Sequence, residues 1–172
     1  AILYRSNAQS RVIEEALIRV GLPYRIYGGQ RFYERLEIRN ALAYMRLIIG
    51  RGDDPALERI INTPTRGIGS KTVDDLRAIA RDNNVSMWQA MGLAQQSGLL
   101  GSRARSSLAG FAALINELDS ETVELPLEEM VEHVIHRTGL IDFHKAEKGE
   151  RGQARVENLE ELVSAAKTFR AE

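Results

Sequence analysis

The stretch Pro64-Thr65-Arg66-Gly67-Ile68-Gly69-Ser70-Lys71-Thr72 decides the fold class, because it joins two short amphipathic helices through a Gly-Ile-Gly turn. This pattern is typical of a helix-hairpin-helix-like turn. Gly67 and Gly69 allow positive φ and let a partner come close to the backbone. We expect Ile68 to bury its side chain between the two helices and hold the turn.

The helix after this turn is expected to present its free N–H groups, and the positive end of its dipole, to a partner. A phosphate is the natural occupant of such a place, with Lys71 and Thr72 adding a charge and a hydroxyl donor. A site of this kind contacts backbone and binds duplex without choosing sequence. The turn alone is equally compatible with a plain helix connection that needs glycine for steric reasons.

The segment Gly69-Ser70-Lys71-Thr72 is superficially similar to a phosphate-binding P-loop, but its spacing does not fit. A P-loop has glycine directly before the lysine, where this chain has Ser70, and its first glycine would fall at Thr65. The segment also follows a helix, whereas a P-loop follows a strand. No nucleotide site is predicted here.

Helical periodicity predicts a mainly α fold from Gly28-Gly29 onward. Local signals mark the helix ends: proline after Asp54, a capping box at Ser86, and Pro126 and Gly139 around another helix. The expected helices cover about residues 35–49, a short segment from 54, 70–81, a short segment from 86, 102–118, 126–139 and 153–170.

The first 27 residues predict a short βαβ fragment of an α/β domain. Ile2-Leu3-Tyr4 and Tyr24-Arg25-Ile26-Tyr27 are β-type runs, and Ser6 or Asn7 can cap the helix between them. That helix has an apolar stripe that we expect to face a core: Val12, Ile13, Ala16, Leu17 and Val20. Two parallel strands cannot form a stable sheet, so the remaining strands are expected elsewhere in a longer polypeptide.

The charge distribution favours a polyanionic partner for the first half of the chain. Net charge is −1, but residues 1–81 hold 14 basic and 9 acidic side chains, whereas residues 82–172 hold 9 and 15. Most of the basic residues in the first part are arginines, which suit forked phosphate contacts. No cysteine is present and no apolar run approaches the roughly 20 residues that span a bilayer, so no membrane partner is predicted and a cytoplasmic location is compatible.

Other candidate sites are weaker. Arg5 and Asn7 follow the first predicted strand, at the edge where α/β domains bind ligands, although Asn7 also suits a helix cap. His133 and His136 are spaced three apart on a helix, but without cysteine or a suitable carboxylate partner no metal site is predicted. No catalytic residue can be assigned.

Several blocks together resemble the UvrD/PcrA/Rep-type superfamily 1A DNA helicases. They are Tyr4-Arg5-Ser6-Asn7-Ala8-Gln9-Ser10-Arg11, Pro23–Gly29, Arg31–Ile38, Asn62–Gly69 and Arg155–Leu162, in the family's order. The resemblance implies that residues 1–27 belong to the motor domain 2A and residues 28–172 to the helical 2B subdomain. It also implies a hinge at Tyr27-Gly28-Gly29.

The resemblance further implies roles for individual residues. The duplex-contacting set would be Thr65, Gly67, Ile68, Gly69, Lys71 and Thr72, with Arg39 and Arg46 on the helix beside the turn. Arg5 and Asn7 would face single-stranded DNA. The longer parent protein would unwind DNA 3′ to 5′ in DNA repair, using ATP and Mg²⁺ and meeting repair proteins as partners.

The P-loop, the magnesium-binding acidic pair and the arginine finger of that family are missing from these 172 residues. ATP turnover needs such phosphate and metal ligands, so no cofactor and no ATPase activity are predicted for the chain alone. Two alternatives stay open: a helix-hairpin-helix module of a repair nuclease or glycosylase, and a protein-interaction helical module without direct DNA contact.

Overall fold

The computed structural model describes residues 1–169, and in that part of the chain the regular secondary structure is helical. The helices are α1 (Ser10–Arg19), α2 (Leu36–Ile49), α3 (Asp54–Ile60), α4 (Ser70–Asn83), α5 (Met87–Ser97), α6 (Ser102–Thr122), α7 (Leu127–Arg137), α8 (Leu140–Lys145) and α9 (Glu150–Thr168). Single 3₁₀ turns cover Asn7–Gln9 and Phe32–Glu34. The predicted mainly α class is confirmed, and α8 is a helix that periodicity did not predict.

Local capping explains several helix starts. The Asp53 carboxylate caps α3 by accepting the N–H of Ala56 at 3.0 Å, with Pro55 in the first turn. The predicted capping box of α5 is confirmed: Ser86 Oγ accepts the N–H of Gln89, and Gln89 Oε1 accepts the N–H of Ser86, each at 3.2 Å. Side-chain acceptors thus satisfy backbone donors that a helix leaves free at its start.

The strands predicted at residues 2–4 and 24–27 are not formed, since no residue between 1 and 169 is in a strand. A strand exists only when a neighbouring strand accepts and donates its backbone hydrogen bonds. The described residues supply no such neighbour to either segment. The predicted helix between them is present as α1.

The predicted inward face of α1 was wrong. Of the expected apolar stripe, Val12, Ala16 and Val20 are exposed and the other two residues are half-buried. The buried side chains of α1 are instead Ser10, Arg11 and Glu14. Polar burial is tolerated here because each of these groups has a hydrogen-bond partner.

The contact pattern divides the chain into two compact units. The first unit consists of Ala1–Ala41 and the chain from Pro126 onward, and the second of Leu42–Leu125. In the first unit α7, α8 and α9 pack against one another around fully buried Val134, Leu140 and Leu159. Gly139, with φ +81°, allows the sharp change of direction between α7 and α8.

The second unit contains α3 to α6 and the later part of α2. Its core includes the apolar stripe predicted for α6, and every member is buried: Leu108, Phe111, Ile115 and Leu118. Arg51 follows α2 and caps its end by donating to the carbonyl oxygen of Leu47 at 2.8 Å. The same guanidinium lies 5.2 Å from the ring centre of Trp88 and pairs with Asp119 at 2.9 Å. One side chain therefore ties α2, α5 and α6 together.

None of the helices between residues 1 and 169 is long and apolar enough to cross a membrane.

Candidate nucleic-acid interface

The connection between α3 and α4, residues 61–69, is called the Gly-Ile-Gly turn here. Gly67 has φ +74°, a conformation that favours glycine, as predicted. Gly69 does not adopt the positive φ that glycine allows: its φ of −82° and ψ of 171° are ordinary extended backbone. Gly69 instead serves as N-cap of α4, where its carbonyl accepts the N–H of Val73 at 3.2 Å.

The interior of the turn is held by one apolar and one polar side chain. Ile68 is 1% exposed, so the predicted burial of this residue is confirmed. The Asn62 side-chain oxygen accepts the backbone N–H groups of Arg66 at 2.7 Å and Ile68 at 3.2 Å. A single amide therefore fixes two donors that would otherwise be unpaired in a tight turn.

Arg66 and Tyr44 form a second set of contacts inside the turn. Tyr44 is completely buried, and its hydroxyl donates to the carbonyl oxygen of Thr63 at 2.5 Å. The guanidinium of Arg66 donates to that hydroxyl and to backbone carbonyls. Burial raises the pKa of Tyr44 to about 12, although Arg66 acts in the opposite direction, so the hydroxyl keeps its proton at neutral pH.

The outer surface of the turn consists of groups that can donate to an anion. Thr65, Gly67, Gly69 and Lys71 are exposed, and Thr72 is half-buried. The side chain of Lys71 is 93% exposed and only 3.8 Å from Asp75, a contact that contributes little in water. Within residues 1–169, no protein acceptor faces the backbone N–H groups at positions 70–72, which open α4.

Arg46, also predicted to contact duplex, is engaged in an ion pair. Its side chain is 66% exposed, and Nη2 and Nε lie 2.7 and 2.8 Å from the carboxylate of Asp53. Arg46 therefore lies at the surface, but its guanidinium is paired with Asp53, the residue that caps α3.

The remaining predicted residues belong to the first unit. Arg5, Asn7 and Arg39 are all exposed. The carbonyl oxygen of Asn7 accepts a hydrogen bond from Arg35 at 2.7 Å, and Ser6, not Asn7, is the N-cap of the first 3₁₀ turn. The Asn7 side chain is thus not used as the cap that sequence reasoning allowed.

The predicted hinge lies in an irregular segment of the first unit. Gly28 has φ +83°, and Tyr27 is 88% exposed. The role of this segment as a hinge stays a prediction.

A buried polar network in the first unit was missed by sequence reasoning. Arg35, 7% exposed, donates to Asn158 at 2.9 Å and to the Ser10 hydroxyl at 2.6 Å. Asn158 in turn donates to Glu37 at 2.6 Å. These residues come from three of the sequence blocks that carry the helicase resemblance, which the fold brings together around the network.

The network continues toward α8. Arg155 lies 3.8 Å from Glu37 and donates to Glu147 at 2.7 Å. His144 is completely buried, with Nδ1 2.5 Å from Glu147 Oε1. The hydrogen bond with His144, followed by those from Arg155, lowers the pKa of Glu147 below its usual value of 4.5. One sequence feature could have indicated this network: polar residues, such as Asn158, lie within the apolar stripe of a helix.

No cluster of three or more histidine, cysteine, aspartate or glutamate side chains that could hold a metal ion occurs between residues 1 and 169.

Comparisons with known proteins agree in pointing to one family. A family model described as the UvrD-like helicase C-terminal domain matches residues 1–172. DNA helicase II of Haemophilus influenzae is 56% identical over 169 residues, which are 98% of this chain and 23% of that protein. DNA helicase II of Escherichia coli is 54% identical over 98% of this chain and 24% of its own length.

A third relative carries a different name. The ATP-dependent DNA helicase PcrA of Bacillus subtilis is 40% identical over 171 residues, which are 98% of this chain and 23% of that protein. The chain therefore spans about a quarter of the length of the curated relatives that it matches.

Proposed function

The chain belongs to the UvrD-like helicase C-terminal domain family, and from this membership we propose that it is part of an ATP-dependent DNA helicase whose Gly-Ile-Gly turn binds the backbone of duplex DNA. The parent protein would translocate 3′ to 5′ and act in DNA repair in the cytoplasm, together with repair proteins. Binding by this segment would regulate unwinding, and ATP and Mg²⁺ would be held by other parts of the parent.

One observation carries the proposal: the outer side of the turn offers backbone donors that no acceptor within residues 1–169 pairs. In the described part of the chain the N–H groups that open α4 have no hydrogen-bond acceptor, and Lys71 extends into solvent beside them. A phosphate placed there would meet the positive end of the helix dipole, a lysine and the Thr72 hydroxyl. Gly69 leaves the backbone bare, because a Cβ atom built there would meet nothing within 4 Å, so the phosphate can approach closely at this position.

The exposed face of α1 supports a division into motor and accessory segments. Three of its apolar side chains are exposed, as are Ile2 and Leu3 beside it. Contiguous apolar surface of this kind marks an interaction site. We propose that residues 1–27 are part of domain 2A and are covered by the rest of that domain, and that residues 28–172 form the 2B subdomain. Tyr27-Gly28-Gly29 would be the hinge.

Single-stranded DNA would meet the segment before α1. Arg5 and Asn7 are exposed. The backbone N–H of Arg5 donates to the exposed side chain of Gln9 at 3.0 Å, and the carbonyl oxygen of Asn7 accepts from buried Arg35 at 2.7 Å. Arg39 is exposed on α2 and, among the described residues, has no ion-pair partner, so its charge is available to duplex phosphates. Arg46 would have to exchange its contact with Asp53 for a phosphate.

A protein-interaction role without DNA contact is the second candidate, and one observation favours it. Several arginines of the basic half are neutralised by carboxylates: Arg46 by Asp53, Arg51 by Asp119 and Arg77 by Glu58. Paired arginines attract a polyanion less than their number suggests.

The two candidates separate in a binding measurement on a labelled hairpin duplex with a single-stranded tail, followed by fluorescence anisotropy at two salt concentrations. The variant Gly69→Ala/Lys71→Ala is compared with the native chain and with Arg81→Ala, a charge removal near the far end of the same helix. We expect salt-sensitive binding by the native chain, at least tenfold weakening in the double variant, and little change with Arg81→Ala. Equal binding by all three proteins would remove the duplex site from the turn. No binding by any folded protein would favour the protein-interaction role.

A further inference from the structure

We propose that Arg66 is a positioning residue of the duplex-binding turn: it fixes the shape of the turn through Tyr44 and does not contact DNA itself. This inference rests on the proposed function, because Arg66 can affect DNA binding only if the turn contacts duplex DNA. The sequence pattern alone gives Arg66 no role. This residue lies in the basic half of the chain, where an arginine suggests a phosphate contact.

The donors of Arg66 are directed into the protein. Nη1 donates to the carbonyl oxygens of Ile60 at 3.1 Å and Pro64 at 3.0 Å, and Nη2 donates to the Tyr44 hydroxyl. Ile60 ends α3 and Pro64 lies in the middle of the turn. The guanidinium therefore ties the end of one helix to the connection that leads into the next.

Two aromatic rings lie close to the guanidinium. Its central carbon lies 5.6 Å from the ring centre of Tyr44 and 5.7 Å from that of Phe111 in α6. Both rings are buried, so the cation–π contacts act in a largely desolvated place, where they are strongest. Two backbone carbonyls, a hydroxyl and two rings therefore engage the guanidinium within the protein, and a movement of the group toward a phosphate would break these contacts.

Tyr44 connects Arg66 to Thr63, a third residue of the turn. Its hydroxyl accepts from Arg66 and donates to the carbonyl oxygen of Thr63 at 2.5 Å. The main chain of Arg66 is fixed as well, because its N–H is bound by Asn62. Both ends of the residue that precedes Gly67 are therefore held. These contacts therefore fix the orientation of Gly67 and of the start of α4.

Lysine cannot replace this arrangement. A lysine ammonium is a single point donor on a flexible stem, whereas the planar guanidinium places several donors at fixed angles and stacks on rings. An arginine that contacts a phosphate through its charge, by contrast, keeps that charge when changed to lysine, and only the geometry of a forked contact is lost. We therefore expect a larger loss of affinity from Arg66→Lys for a positioning residue than for a phosphate contact.

The test compares duplex binding across several salt concentrations for the native chain, Arg66→Lys, Arg66→Met, Tyr44→Phe and Lys71→Ala. We expect both Arg66 variants to bind at least tenfold more weakly, with the slope of log affinity against log salt unchanged. Lys71→Ala should lower that slope by about one, as the loss of one phosphate contact does. Tyr44→Phe should weaken binding in the same direction, and adding Arg66→Lys to it should cost less than the two single effects combined.

Amide hydrogen exchange supplies a readout that needs no DNA. We expect faster exchange at the N–H of Ile68 in Arg66→Lys and Tyr44→Phe, with the amides of the middle of α6 unchanged. Native-like affinity of Arg66→Lys, or a salt slope lowered by about one in Arg66→Met, would overturn the inference in favour of direct contact. Unchanged exchange at Ile68 would also overturn it. If the native chain bound no duplex while exchange at Ile68 rose, the proposed function would fail and the restraint by Arg66 would stand.

Discussion

Arg35 donates a hydrogen bond from Nη1 to the side-chain oxygen of Asn158 at 2.9 Å, across 123 positions of the chain. Asn158 is 3% exposed, and its nitrogen donates to Glu37 at 2.6 Å. The amide thus stands between a buried cation and a buried anion, accepting from one and donating to the other. A carboxylate in its place would repel Glu37, and an apolar side chain would leave both charges without this partner.

The free energy of unfolding should depend strongly on that amide. We expect Asn158→Leu to lower it by about 3 kcal/mol, because two charged groups lose a buried hydrogen bond. Gln153→Leu, on the exposed side of the same helix, is the control and should change it by less than about 0.5 kcal/mol. Urea unfolding measures both. If Asn158→Leu lowered the free energy of unfolding no more than Gln153→Leu, water would be replacing the hydrogen bonds of the amide without cost.

The two glycines of the turn should respond differently to alanine. Gly67→Ala forces a side chain into positive φ, which costs about 1–2 kcal/mol of stability. At Gly69 a methyl group points into open space with an ordinary φ, and the expected loss is about 0.5 kcal/mol. Thermal unfolding of the two variants measures this difference. Duplex affinity should nevertheless fall for Gly69→Ala, since the methyl group occupies the approach of the phosphate. Native affinity in a stable Gly69→Ala protein would contradict close approach at this position.

Gly152 is required by its surroundings, not by its own conformation. A Cβ atom at this position would lie 2.5 Å from the carbonyl oxygen of His144 and 2.6 Å from that of Glu147. Both obstacles are backbone atoms, so we expect Gly152→Ala to cost about 1–3 kcal/mol. Gly110 is the matched control, because it lies within α6 with open space beside it. Gly110→Ala should stabilise the protein by up to about 1 kcal/mol, since alanine is the better helix former. Chemical denaturation that ranks the two variants in the reverse order would contradict this account.

Glu147 predicts a specific acid sensitivity. The hydrogen bond with His144 and the ion pair with Arg155 lower the pKa of Glu147 in the folded protein below 4.5. Such a group stabilises the fold fully above its unfolded pKa, and the contribution is lost as pH falls through the lower, folded value. The native chain should therefore lose its stability advantage over Glu147→Gln as the pH falls below about 4.5.

The comparison uses urea unfolding at pH 7 and at successive pH values below 4.5, with Glu150→Gln as control. Glu150 is exposed at the start of α9. The difference between the native chain and Glu150→Gln should stay small at every pH. A gap between the native chain and Glu147→Gln that did not shrink in acid would show that the carboxylate charge contributes nothing to stability.

Helices with strong local signals could be predicted from the sequence. The capping box at Ser86, the proline after Asp54 and the four-residue stripe of α6 each act within one or two turns of chain, and each prediction holds. Short α8 was missed because six residues provide too little periodicity, and Gly139 before it indicates an ending only.

Polar burial could not be predicted in this way. The rule that apolar side chains face inward gave the wrong face of α1, because Ser10, Arg11 and Glu14 find hydrogen-bond partners at distant positions. A hydrogen bond such as that between Arg35 and Asn158 leaves no local periodic pattern.

The candidate site shows the same limit. The positive φ of Gly67 and the burial of Ile68 followed from the pattern of the turn. The sequence did not show which of the two glycines adopts positive φ, because a glycine that caps a helix with extended backbone is the same letter in the motif. The role proposed for Arg66 depends on Tyr44 and Phe111, which lie 22 residues before it and 45 residues after it in the sequence. No motif within the turn predicts those two contacts.

The contact of Arg51 with Trp88 has an optical consequence. Trp88 is the only tryptophan, and it lies in the second unit, whereas Tyr4, Tyr24, Tyr27 and Tyr33 belong to the first. Release of the guanidinium from the indole face and entry of water should change the emission of Trp88 when the second unit unfolds. Indole fluorescence therefore reports selectively on the unfolding of the second unit. Circular dichroism measures the total helix content of both units. Comparing the two melting curves shows whether the units unfold together or one after the other.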